Sequence, residues 1–185
     1  GRATEFQTTT GIPRTAGARG GFMPQWTLFE NDFRSIDSVL AELLERTNAL
    51  STHLIDRSGQ LITSAGRTGD FDVTSFASLV AADFTANAEL TQLMGDTTIE
   101  AVVSEGAQRS IHSCLLADRV ILCTVFDRRS TLGLVRFRAR RAKEVLDQVF
   151  RGLFEKVGIA EPAQEFVHAG GFTNGADFAQ AAASE

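Results

Sequence analysis

Apolar side chains recur every three or four positions in the first part of this 185-residue chain: Phe29, Phe33, Ile36, Val39, Leu40, Leu43 and Leu44. This spacing predicts an amphipathic helix that ends near Asn48. Thr27 and Glu30 have the spacing of a capping box, in which the Thr27 hydroxyl accepts from the Glu30 amide and Glu30 reaches back. The helix is therefore expected to begin directly after Thr27.

Two short β-prone segments follow, at 52–56 and 60–63, and they are joined through Gly59. A glycine between two such segments is typical of a β-hairpin. We expect Gly66 and Gly69 to end it.

A second helix is predicted from Asp72, which can cap it, to Gly95, a natural C-terminal stop. Its apolar members are Phe76, Leu79, Val80, Phe84, Leu90, Leu93 and Met94. Many alanines lie between them and allow a neighbouring backbone to approach closely. We therefore predict a dimer face at Ala77, Ser78 and Ala81, with packing inside one core as the alternative.

Three more β-prone segments follow at 99–103, 110–116 and 120–126. The third is apolar on both faces and is expected to be the central strand, after a tight turn at Asp118 and Arg119. A last helix is predicted from Leu132 to about Val157; residues 135–138 also alternate like a strand, but the helical spacing continues afterwards. The order α-β-β-α-β-β-β-α indicates an α/β (α+β) fold with one five-stranded antiparallel sheet flanked by helices.

The composition divides the chain into three parts. Residues 1–22 are rich in Gly, Thr and Arg and are interpreted as a leader added ahead of Met23, or otherwise as a disordered arm. Residues 23–157 form the predicted domain, and 158–185 form a flexible tail. The tail carries Phe166, Phe172 and Phe178. We predict these aromatics as anchors for a partner groove; a disordered end without a role is the alternative.

Charge and hydropathy exclude several classes of protein. The net charge of −5 argues against a nucleic-acid binder. No apolar run reaches the roughly 18 to 20 residues that cross a bilayer, and no signal peptide is visible. A cytoplasmic protein is therefore expected. Cys114 and Cys123 lie in apolar runs, which favours buried free thiols over a disulfide, and neither they nor the three scattered histidines match a metal-site spacing.

Catalytic motifs are also missing from the sequence. No Gly-rich loop is followed by Lys-Ser/Thr, so the chain does not resemble a GTPase itself. Asp56 and Asp127 each end a predicted strand, where a carboxylate is more often a turn acceptor than part of a paired-carboxylate site. The sequence favours a binding module that uses no cofactor and has no active site of its own.

Several ordered segments resemble one known family. They are Leu-Ile-Asp-Arg-Ser-Gly-Gln-Leu-Ile-Thr-Ser-Ala-Gly at 54–66, Thr-Ser-Phe-Ala-Ser-Leu-Val-Ala at 74–81, Glu-Gly-Ala at 105–107, Val-Phe-Asp at 125–127 and Ser-Thr-Leu-Gly-Leu-Val-Arg at 130–136. Together they resemble the Roadblock/dynein light-chain domain, and within it the MglB-type bacterial polarity regulators. The resemblance covers roughly residues 24–157 and leaves out both ends of the chain.

The resemblance implies a Roadblock-type homodimer with one continuous sheet. It also implies a GTPase-activating protein for a small Ras-like GTPase of the MglA type, in cell polarity or gliding motility. Such proteins use no arginine finger and instead position the GTPase's own catalytic residues. One alternative is a scaffold that binds a GTPase or motor complex without accelerating hydrolysis. Another is a profilin-like or PAS-like small-molecule sensor, which would need a polar-lined internal pocket.

The same resemblance places the GTPase on the first and last helices of both protomers. The positions that match in this chain are Arg34 and Ser35 on the first helix and Arg140 and Arg141 on the last. The last helix is rich in arginine, and a solvated or acid-seeking face is the alternative interpretation of that run.

Overall fold

A computed structural model of the chain describes residues 30–69 and 71–159. The elements are α1 (Glu30–Thr47), β1 (Ser51–Asp56), β2 (Leu61–Gly66), α2 (Val73–Leu93), β3 (Val102–Glu105), β4 (Arg109–Leu116), β5 (Val120–Asp127) and α3 (Leu132–Lys156). The predicted order of helices and strands is confirmed. The Thr27 capping box, residues 1–22 and the tail aromatics Phe166, Phe172 and Phe178 lie outside the described residues.

The five strands form one antiparallel sheet in the order β2-β1-β5-β4-β3. β5 is the central strand, as predicted, and its first seven residues are buried. β3 is shorter than predicted, because residues 99–101 lie outside it. It pairs with β4 only from Ser110 to Ser113, so that Cys114, Leu115 and Leu116 pair with β5 alone.

Helices cover both faces of this sheet. On one face, α1 and α3 enclose a core that includes Leu40, Leu122 and Phe150. On the other, α2 packs over Ile121 and Cys123. Successive strand residues point to opposite faces, so neighbours such as Ile121 and Leu122 belong to different cores.

The ends of α2 are set by the residues that the sequence indicated. The Asp72 carboxylate accepts from the backbone amides of Thr74 at 3.2 Å and Ser75 at 3.3 Å. A hydrogen bond from the Ser75 hydroxyl, followed by these two amide hydrogen bonds, lowers the pKa of Asp72. After Met94 the chain passes through Gly95 at φ +93°, a conformation that favours glycine.

α3 begins at Leu132, so residues 135–138 are helical and not extended. The Thr131 hydroxyl caps it by accepting from the Leu134 amide at 3.3 Å. Val135 and Ala139 both face the core. The helical spacing therefore outweighs the local alternation.

The turn between β4 and β5 is one residue earlier than predicted. Ala117 and Asp118, with φ of 43° and 58°, occupy its centre, and the Arg119 amide donates to the Leu116 carbonyl at 3.0 Å. Asp147 of α3 holds this left-handed backbone by accepting from the Ala117 amide at 2.7 Å. The turn is thus attached to α3.

Cys114 and Cys123 are free and buried, as the sequence predicted. Burial raises the pKa of each thiol to about 12. Both are therefore uncharged at neutral pH and poor nucleophiles. No helix in the two described ranges is long and apolar enough to cross a membrane.

His53 is fully buried on β1, beneath two aromatic rings. The ring centroids of Phe71 and Phe76 lie 5.9 Å and 5.1 Å from its own, and its Nε2 atom is 2.9 Å from the Ser51 hydroxyl. Burial lowers the pKa of His53 from 6.5 to about 4. The fold therefore holds this imidazole in its neutral form.

His53 predicts how stability depends on pH. Between pH 6.5 and about 4, the unfolded chain binds a proton at this position that the folded chain does not, so the free energy of unfolding should fall as pH falls. The His53 contribution to that fall should be at most on the order of 3 kcal/mol. In His53→Gln, urea unfolding across this pH range should show a shallower decline. An equal decline in both proteins would contradict the assignment, whatever their absolute stabilities.

Candidate functional site

α3 presents three different faces, because each residue is rotated about 100° from the one before it. The first is buried against the sheet: Val135, Ala139, Ala142, Leu146, Phe150 and Leu153. A second face carries Arg136, Arg140 and Lys143. The third is solvent-exposed and has the composition of a contact surface.

The exposed face centres on Phe137, whose side chain is 54% exposed. The guanidinium carbons of Arg138 and Arg141 lie 5.5 Å and 5.6 Å from the centre of its ring. Leu134 and Val145 extend the apolar surface along the helix. We call these five residues the Phe137 patch. An aromatic ring between arginines is the kind of group that dominates binding energy at protein interfaces.

Arg140 and Arg141 were predicted as partners on one surface, and the structure separates them. Arg141 belongs to the Phe137 patch. Arg140 points to the second face of α3, where its guanidinium lies 3.7 Å from the Glu100 carboxylate. Successive residues on a helix point about 100° apart, and here Arg141 lies against the Phe137 ring whereas Arg140 lies towards Glu100.

The two positions predicted on α1 lie elsewhere again. Arg34 is exposed and pairs with Glu30 at 2.8 Å, and the Ser35 hydroxyl donates to the Asn31 carbonyl at 3.0 Å. Lys156 lies 3.2 Å from Asp32, so the start of α1 is next to the end of α3. At about 1.5 Å of rise per residue, Arg34 is roughly 20 Å from Arg140 along the helix pair. The four predicted positions therefore do not form one cluster.

The predicted dimer face on α2 needs correction. Ala77 and Ala81 are buried in the core of their own protomer, against Ile55 and Ile121. Ser78 is exposed, but its backbone lies against Gly59, where an added Cβ would come within 2.9 Å of the Ser78 Cα. Small residues on α2 allow it to approach the sheet and the hairpin of the same chain, which is the alternative that the sequence left open.

The opposite face of α2 exposes large apolar side chains instead: Leu79, Leu90, Leu93 and Met94. Leu79 is 70% exposed and Leu93 is 84% exposed. We call these four residues the outer α2 stripe. In the sequence these four residues were named among the apolar members of the second helix. The sequence did contain the signal for this second apolar face, because the apolar residues of α2 are spread all round the helix. A helix of this kind is normally covered on both sides.

The two carboxylates that end strands have structural roles. Asp56 accepts from the Ser58 hydroxyl at 2.6 Å and the Gln60 amide at 2.9 Å. Asp127 accepts from the Arg129 amide and guanidinium, and these bonds lower its pKa. Both are turn acceptors, as expected from the sequence. Within residues 30–69 and 71–159, no three His, Cys, Asp or Glu side chains are grouped so that they could hold a metal ion.

The chain is similar to solved structures from several bacteria. MglB from Myxococcus xanthus shares 38% sequence identity and a TM-score of 0.64, covering 68% of this chain and 95% of that one. Gliding protein MglB from Thermus thermophilus shares 26% identity and a TM-score of 0.64, covering 70% and 98%. A Roadblock/LC7 domain from Streptomyces avermitilis has the same fold at 13% identity and a TM-score of 0.51, covering 66% and 97%. No protein-family model matches the chain, and no curated protein does.

Proposed function

The chain belongs to the Roadblock family, among its MglB-type members, and on this premise we propose that it is a homodimeric cytoplasmic regulator of a small Ras-like GTPase of the MglA type. It accelerates GTP hydrolysis by that GTPase without contributing a catalytic side chain. The process that it serves is bacterial cell polarity or gliding motility.

The Phe137 patch is the observation that supports the docking part of this proposal. A half-exposed aromatic ring is costly to leave in water, and burying it against a partner is favourable. The two arginines beside the ring add attraction to an acidic surface and raise the rate of encounter. We assign the main contact to this half of α3, with Arg34 and Ser35 as a second contact at the other end of the helix pair.

The geometry of the α3 arginines favours a mechanism in which the protein positions the catalytic residues of the GTPase, over one in which it inserts an arginine into the GTPase active site. Arg138 and Arg141 lie against the Phe137 ring, and Arg140 lies towards Glu100. A GTPase that already holds its catalytic residues needs only its loops in the active arrangement. A partner that binds that arrangement preferentially increases its population, and hydrolysis accelerates in proportion.

The outer α2 stripe supports self-association. Four large apolar side chains on one face of a surface helix are typical of an interface between protein chains. The short β3 strand adds an open sheet edge with unpaired backbone groups. A two-fold arrangement that brings two α2 helices and two β3 edges together covers both features and produces one continuous sheet.

Docking through the Phe137 patch predicts a sharp mutational effect. Phe137→Ala and Arg141→Glu should each weaken binding to the GTPase loaded with a non-hydrolysable GTP analogue by about tenfold or more. Arg57→Glu serves as the matched control, because Arg57 is exposed on the β1–β2 turn at the other end of the sheet. Isothermal titration calorimetry measures all three. Parent-like affinity in both patch variants would reject this surface, and Arg34→Glu then tests the α1 end.

Positioning predicts that no single arginine is indispensable for the chemical step. Arg136→Ala, Arg138→Ala, Arg140→Ala and Arg141→Ala should keep most of the acceleration once each variant saturates the GTPase. A lost arginine finger would instead cost roughly 10³-fold or more. Single-turnover hydrolysis at saturation decides between the two. A variant that binds normally but loses nearly all acceleration refutes positioning, and a parent protein that binds without accelerating is a scaffold.

If the outer α2 stripe is the dimer face, substitutions there should affect dimerisation and leave folding intact. Leu79→Glu combined with Leu90→Glu should give a folded monomer, since both side chains are exposed within one protomer. Ala81→Arg should instead destabilise the fold itself, because it forces a charge into the core. Light scattering reports the mass and circular dichroism reports the fold. A double variant that remains dimeric would place the interface elsewhere.

A further inference from the structure

A cavity of about 830 Å³ lies between the end of α2, residues 96–101, β4 and the first half of α3. It exists because β3 starts only at Val102 and leaves the last residues of β4 without a strand beside them. Its size is in the range of small-molecule sites. It borders the two cores of the sheet through Cys114 and Leu115, and Arg136, Arg140 and Lys143 form its α3 wall.

His112 of β4 lines this cavity and is only 2% exposed. Neither of its ring nitrogens has a hydrogen-bond partner in the part of the chain that the structure describes. A buried polar group without a partner costs about 1 to 3 kcal/mol, and such groups are rare in folded proteins. His112 lines the cavity, so a group that satisfies its ring would have to approach from that side.

Arg136 stands next to His112 and, unlike it, is exposed to solvent. No described residue forms a hydrogen bond or ion pair with it, whereas Lys143 is held by Asp147 and the Leu115 carbonyl. Burial first, and the positive charge of Arg136 second, lower the pKa of His112. The ring is therefore neutral at neutral pH and has one N–H to donate. An anionic oxygen between His112 and Arg136 would accept from both.

The acidic residues in the cavity limit the chemical groups that the remainder of a ligand can carry. Asp96 and Glu100 line the wall opposite α3, so a second anionic group would be repelled, and hydroxyl or amine groups would find acceptors. We propose that this cavity binds a small molecule with one phosphate or carboxylate end, held by His112 and Arg136, and hydrogen-bond donors at the other end. Arg140, 3.7 Å from Glu100, joins the two walls.

This site is distinct from the proposed GTPase contact. It uses the second face of α3, whereas the Phe137 patch uses the exposed one. Phe137→Ala should leave ligand binding unchanged, and Arg136→Ala should leave the Phe137 contact unchanged. The two proposals can therefore fail independently.

Nitrogen NMR of the full-length protein tests the site directly. The protein is labelled at its histidine ring nitrogens, His112 is assigned from the His112→Gln variant, and inorganic phosphate and acetate are titrated separately at constant ionic strength. A saturable shift of the His112 nitrogens is expected for at least one probe. The His53 nitrogens, buried under α2, should not shift. Which probe saturates identifies the anionic group as phosphate or carboxylate.

Variants at Arg136, compared with a control variant at Arg57, test whether the shift of the His112 nitrogen signals comes from binding in the cavity. Arg136→Ala should weaken the responding probe by about tenfold or more, in line with the loss of a charged hydrogen bond, and Arg136→Lys should recover part of it. Arg57→Ala, which removes one positive charge at a distance, should bind like the parent. The proposal is overturned if neither probe gives a saturable His112 shift, or if Arg136→Ala and Arg57→Ala respond alike.

Discussion

Burial of β5 on both of its faces is the constraint on which the rest of this molecule depends. Leu122 faces the α1 and α3 side, while Ile121 and Cys123 face α2. A strand that is apolar on both faces must be central and must be covered twice. This requirement places β1 and β4 beside it and assigns one layer of helix to each side. The helices that cover the sheet also bury Cys114, Cys123 and His53, and this burial shifts the pKa of each.

α3 is where this architecture becomes useful for binding. Its core face is fixed by the sheet, and the two remaining faces are then free to differ. One presents Phe137 together with two arginines, and the other forms the wall of a cavity beside His112. Arg140 and Arg141 are adjacent but point about 100° apart, and they contact different groups, Glu100 and Phe137 respectively. Helical geometry thus allows one element to support a proposed protein contact and a proposed ligand site.

Much of the fold could be predicted from the sequence, because the residues that determine it act on their near neighbours in the chain. Asp72 marks the start of α2 through hydrogen bonds, and Gly95 marks its end through its backbone conformation. Both effects depend on a few neighbouring residues. The helical spacing after Leu132 was long enough to outweigh the short alternation at 135–138. The candidate site was less readable. Arg34, Ser35, Arg140 and Arg141 stay predicted contact residues, because the resemblance assigns them to the helices of both protomers. Within one protomer the antiparallel packing of α1 and α3 puts the two pairs far apart, and the sequence did not indicate Phe137.

The sequence alone determined the order of the elements, the central position of β5 and the family resemblance, because these depend on periodicity, turn residues and ordered motifs along the chain. Only the tertiary structure decided which apolar face of α2 is covered by its own protomer. Ala77 and Ala81 lie inward together with Val80 and Phe84 and fill the core against the sheet. Leu79 and Leu90 are left outside. It also decided that His112 and Arg136 meet at a cavity, since their proximity depends on where β3 begins relative to β4.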